Sequence, residues 1–217
     1  MLVAIMQEGG AGNECASIVQ GFIERLALQV KRDLEAGTPQ LTLAKTVEAA
    51  ISYAREHGAC GRPSRQPYHA YLMSQFNALN RLILDKSMEA LSAHLERLGD
   101  DVYSAFSILL TRYAMHEIRL IDYAASMLRS TLEQGVDALE AVISILEPLV
   151  FAAAARYLAA MYAISSLPSE EVLRLAASLE RIIAAYMDEE NQAFASLQLY
   201  FQGGGDGRAE SQKESGR

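Results

Sequence analysis

Residues 149–164 read LVFAAAARYLAAMYAI, a run in which Arg156 is the one charged residue. As a helix this run has no polar face to offer water, so it has to lie inside something. It is shorter than the roughly twenty residues that cross a bilayer, and it carries a charge near its centre. The reading it favours is the central helix of a bundle, with no membrane partner. Residues 1–6 are too short and lack the basic flank of a signal segment. The expected location is cytoplasmic.

The rest of the chain carries the material to wrap such a helix. Residues 13–36 place Ile18, Phe22, Leu26, Val30 and Leu34 four apart, which predicts one apolar helical face. Asn13 is a natural start, and Gly37 with Pro39 a natural stop. A second helix is expected over 42–57 on Leu43, Val47, Ile51 and Ala54. A third opens near Pro67 or Tyr68 on Leu72, Phe76, Leu79 and Ile83. Its pattern falters at Asp85, Lys86 and Ser87 and resumes with Met88, Leu91 and Leu95, which predicts a kink. The fourth helix is expected over 100–134, with Phe106, Leu110, Tyr113, Leu120, Ala124 and Leu128 inward. The fifth spans 137–165, with Pro148 bending or splitting it. Ser169, Glu170 and Glu171 begin the sixth, which runs to about Tyr200.

This pattern predicts an all-α antiparallel bundle of about six helices, two of them near or above thirty residues. The expected division is a short segment over 1–12, one helical-bundle domain over 13–202 and a disordered tail over 203–217. Composition agrees. The 217 residues are 51% hydrophobic but only 7% aromatic, with no Trp, so the core is built from Leu, Ile, Ala and Met. That mixture favours helix over strand. Only residues 1–6 leave a strand open. Two cysteines, Cys15 and Cys60, exclude a disulfide scaffold.

The net charge of −8 excludes a strongly basic nucleic-acid binder. The charge is uneven, however. Residues 55–98 carry six basic and four acidic side chains, whereas residues 99–202 carry six and fourteen. The basic centre includes Arg55, Arg62, Arg65, Tyr68 and His69, a loop able to neutralise phosphates and stack on bases. A second polar group lies on the fourth helix. Arg112, His116, Arg119 and Tyr123 are spaced four, three and four, which places them on one helical face. Arg55, Arg62, Arg65, Tyr68 and His69 together with Arg112, His116 and Arg119 form the candidate nucleic-acid-binding set.

Catalytic and metal motifs do not appear. The four histidines include no Glu-x-x-His of the di-iron bundles. His57, Cys60 and His69 flank one loop without matching a zinc spacing. HEPN nucleases carry Arg-x(4–6)-His, and Arg112 to His116 leaves only three intervening residues. No Gly-x-Ser-x-Gly or phosphate-binding loop occurs. The expectation is therefore no metal, no cofactor and no catalytic residue. Methionines on four helices and the Ala-rich fifth helix suit close helix contacts within or between chains.

Two function classes emerge, with a third behind them. The first is a non-enzymatic interaction or scaffold subunit that binds itself or another protein through apolar helix faces. The alternative is a small helical subunit of a nucleoprotein complex, of the kind found in CRISPR effectors, that contacts RNA or single-stranded DNA through residues 55–71. No motif raises that description to a resemblance. The third is a nuclease or hydrolase using the Arg112 and His116 face.

Overall fold

The structure is a computed structural model that describes residues 10–57, 68–95, 100–133 and 136–203. Residues 1–6 and the tail from 204 onward lie outside that set. Among the described residues the chain forms six helices: α1 (Gly10–Ala36), α2 (Leu43–His57), α3 (Tyr68–Leu95), α4 (Asp100–Leu132), α5 (Val136–Ser165) and α6 (Ser169–Gly203). The all-α helical bundle is thus present.

The stop after α1 is built as its sequence implies. Gly37 takes φ 69°, a left-handed conformation that costs a residue without a Cβ nothing. The Gly37 amide donates to the Leu34 carbonyl and the Thr38 amide to the Asp33 carbonyl, which together form a Schellman closure. Asp33 then organises the turn into α2. Its buried carboxylate accepts the amides of Gln40 and Leu41 at 2.8 and 2.9 Å. Thr42 caps α2 by accepting the Lys45 amide at 3.2 Å.

Helix α5 occupies the centre. It packs against α1, α2, α3 and α4, and every residue from 150 to 161 is buried. Small side chains permit this crowding, because alanine lets neighbouring backbones approach closely. Leu139–Ser165 is long and apolar enough to cross a membrane by length and composition, but 72% of the window is buried inside the protein. The surrounding helices account for its apolarity. Pro148 does not split the helix. Its missing amide removes one hydrogen bond from the ladder, a loss that lateral packing on four helices tolerates.

Helix α6 lies against α1, α2 and α4. Asp33 of α1 and Gly37 just past its end lie near Tyr186 and Arg181 of α6, in opposite order. His116 and Tyr123 of α4 meet Glu190 and Phe194, in the same order. These directions fit alternating up and down helices joined by short connections.

Helix α3 departs from its expected pattern. It runs through Asp85, Lys86 and Ser87 without interruption. Ser87 is buried and returns its hydroxyl to the Ile83 carbonyl at 2.7 Å, so it sits on the core stripe beside Leu79, Ile83 and Ala90. Met88, read from the sequence as part of the apolar face, is 62% exposed. The stripe keeps its angle through the polar triplet, which leaves Met88 on the outside.

Candidate functional site

A charge in the middle of α5 needs an opposite charge and hydrogen bonds, or it does not stay buried. Arg156 is fully buried and has both. Its Nε donates to Oε1 of Glu190 at 3.0 Å, and Nη2 donates to the same oxygen. Nη2 also donates to the Tyr186 carbonyl at 2.9 Å. Nη1 donates to Glu189 at 2.6 Å and to the Leu41 carbonyl at 3.5 Å. The guanidinium lies over the Tyr186 ring, 4.3 Å from its centroid. One side chain therefore ties α5 to α6 and to the α1–α2 turn.

Glu190 carries the network onward. Its second oxygen, Oε2, lies 3.1 Å from His116 Nε2 on α4. Burial works against the Glu190 charge, but the His116 bond and Arg156 more than offset it and hold the carboxyl below its usual range. The same pairing acts on Arg156. Burial opposes its charge, and Glu190 outweighs that effect and holds the guanidinium above its usual range.

Glu117, next to His116, is different. It is fully buried, and no donor from another described residue reaches either of its oxygens; its protonated carboxyl faces Glu190. Burial first, and then the Glu190 charge, push its carboxyl well above the usual carboxylate range. Beside it stands Tyr113, also fully buried and with an unpartnered hydroxyl. Tyr113 packs edge-on against Tyr157, whose hydroxyl meets Ser87 on α3. At the far end the Tyr186 hydroxyl reaches Asp33 at 3.4 Å. The polar groups form one connected seam through the apolar core.

No family model, curated protein or solved structure matches this chain. Its own geometry is the guide to function.

That geometry rearranges the candidate residues. Arg112 and Arg119 are exposed on α4, as the spacing predicts. His116 does not join them on the open face; its side chain is 10% exposed and turned to Glu190. Tyr123 packs against Phe194. Arg55 lies in the last turns of α2, and Tyr68 and His69 open α3, with side chains outside the described set. Arg62 and Arg65 lie outside the described residues.

The cluster itself was missed by motif spacing. His116, Glu117 and Glu190 bring three potential ligand atoms within 4.8 Å of one another. The signal that reveals them is a charge on a core stripe. Glu190 falls between Tyr186 and Phe194 in the apolar series of α6, and Glu117 falls between Tyr113 and Ile121 in that of α4.

The two acids give opposite pH dependences. Glu190, held low, adds stability above its unfolded pKa that is lost as pH falls through its folded pKa. Glu117, held high, keeps its proton in the fold after the unfolded chain has released it. Its contribution is full below the unfolded pKa and is lost as pH rises toward the folded one. Glu117→Gln keeps the shape and removes the ionisation. The variant is expected to flatten the decline above the carboxylate range and to gain on the order of 1–2 kcal/mol at pH 8. Urea unfolding across pH 4–9 measures this, and a profile that overlays the parent contradicts it.

Proposed function

We propose that this chain is a non-enzymatic helical interaction subunit, which associates with itself or docks in a larger assembly through its helix faces. Catalysis needs reactive groups that a substrate can reach. Arg156, Glu190 and His116 are turned inward and engaged with one another, which favours a structural role for the seam.

The observation that carries the reading is a set of large apolar side chains exposed on α3 and α4, those of α4 interleaved with Arg112 and Arg119. Leu84 and Met88 are exposed one turn apart on α3. Ile108, at 68% exposure, and Met115 are exposed two turns apart on α4. The two helices pack together, and Asn80 donates to Asp122 at 3.0 Å across them. Running the helices in opposite directions from that bond puts Met88 level with Met115. Flexible methionines beside aliphatic residues suit an adaptable contact.

Light scattering behind a sizing column tests the self-associating form. The expected result is a mass at a multiple of the single chain, and Met88→Lys with Ile108→Glu shifts it to one chain with helicity retained. A single-chain mass up to high micromolar concentration contradicts self-association.

A second reading rests on Arg112 and Arg119. Both are exposed on the α4 face that also carries Ile108 and Met115, so this reading competes with the first for one surface. Binding of single-stranded RNA that weakens steeply with salt and is lost in Arg112→Ala/Arg119→Ala supports it. No binding at low salt removes it.

A further inference from the structure

We propose that His116 and Glu117 of α4, together with Glu190 of α6, form a binding site for one divalent transition ion of the zinc class. This goes beyond the interaction role, because a buried ion adds a bond between two helices whatever the outer surface contacts.

The donor set comes first. One imidazole nitrogen and two carboxylate oxygens lie within 4.8 Å of one another. Bonds of about 2.1 Å in a tetrahedral site place donor atoms about 3.4 Å apart. The His116 Nε2 and Glu190 Oε2 pair, at 3.1 Å, is already near that spacing. Glu117 brings a third donor within 4.8 Å of the other two, which leaves the fourth position of a tetrahedral site to a water. Imidazole beside carboxylate suits zinc, iron or nickel better than calcium or magnesium, which prefer oxygen alone.

An independent observation points the same way. Two buried carboxyl groups side by side call for a positive partner or a shared proton. Glu117 is fully buried, no donor from another described residue reaches either of its oxygens, and the group it faces is a second acid, Glu190. A cation between it and Glu190 replaces that shared proton with a positive charge that no described side chain supplies to Glu117.

The neighbours fit. Arg156 occupies Oε1 of Glu190 and leaves Oε2 toward His116, so the guanidinium fixes the orientation of a ligand carboxylate from behind. Glu189 offsets the Arg156 charge. With both ligand carboxylates ionised, the two positive charges of the ion and that of Arg156 balance the three acids. The slightly exposed edge of His116 is the way in. On binding, the Glu117 O–H breaks, its oxygen bonds the metal and its proton goes to solvent.

Equilibrium dialysis and calorimetry of the full chain with Zn2+ test the site. The expected result is one ion per chain, proton release when the buffer is varied, and a rise in Tm of about 5–10 °C at a hundred times Kd. Glu117→Gln and His116→Gln are each expected to weaken binding at least tenfold while remaining folded by circular dichroism. Cys15→Ser/Cys60→Ser is expected to bind as the parent does, which separates this site from the thiols. The proposal is overturned by no saturable zinc uptake, by uptake that survives Glu117→Gln, or by uptake lost in the cysteine variant. Magnesium or calcium binding as tightly as zinc also overturns it.

Discussion

Replacing Arg156 with alanine is expected to cost about 3–5 kcal/mol of folding stability. The cost does not arise because a buried ion pair is intrinsically valuable. Against a well-packed apolar substitute such a pair often breaks even. It arises because removing one partner strands the other. Glu190 is fully buried, and without Arg156 its Oε1 loses both guanidinium donors. The Tyr186 and Leu41 carbonyls lose donors as well. Urea unfolding measures the effect directly, and a loss below about 1 kcal/mol contradicts it. Arg156→Met separates the causes, because it keeps much of the apolar stem and removes the charge. Most of the penalty is expected to remain in that variant. Arg156→Lys is expected to recover only part, since an ammonium cannot reproduce the planar fork that meets Glu190, Glu189 and two carbonyls.

The second large effect lies at the opposite end of the polar seam. Asp33→Ala is expected to cost about 2–4 kcal/mol. Asp33 is 1% exposed, and one of its oxygens accepts both the Gln40 and Leu41 amides. Its other oxygen accepts from Gln29 at 2.8 Å. Alanine leaves the buried Leu41 amide without a partner at a turn that has no helical bonds to spare. The loss is local in chemistry but wide in consequence, because Leu41 also presents its carbonyl to Arg156. Asp33→Asn keeps one acceptor oxygen and is expected to cost about half as much. Urea denaturation of the two variants against the parent provides the check. Equal stability of Asp33→Ala and the parent removes the turn from any organising role.

Much of this fold is legible in the chain alone. The apolar spacing marks all six helices, and Gly37, Thr42 and Ser169 mark three of their ends, because these residues act through local backbone chemistry. The central place of α5 comes from a run with no face fit for water. Met88 is harder, because one residue of phase separates core from surface, and Ser87 takes the inner place by satisfying its own hydroxyl on Ile83. Hardest is the seam. His116 and Glu117 are sequence neighbours that point about a quarter-turn apart, while Arg156 and Glu190 come from two further helices. No spacing rule links four such positions, since tertiary packing alone brings them together. The residues do carry the mark of a conflict: an arginine amid alanines, and glutamates standing where the apolar stripe asks for aliphatic residues. Each conflict is half of a pair, and only the fold supplies the other half.

Arg156 and Glu190 act as one unit that joins α5 to α6, and a double-mutant cycle tests this most directly. Stabilities of the parent, Arg156→Met, Glu190→Leu and the double variant are measured in urea at neutral pH. Each single change strands a buried charge, whereas the double change removes both. The predicted coupling is about 2–3 kcal/mol, with the double variant more stable than either single one. Single effects that add to within about 0.5 kcal/mol would contradict the joint role of the pair.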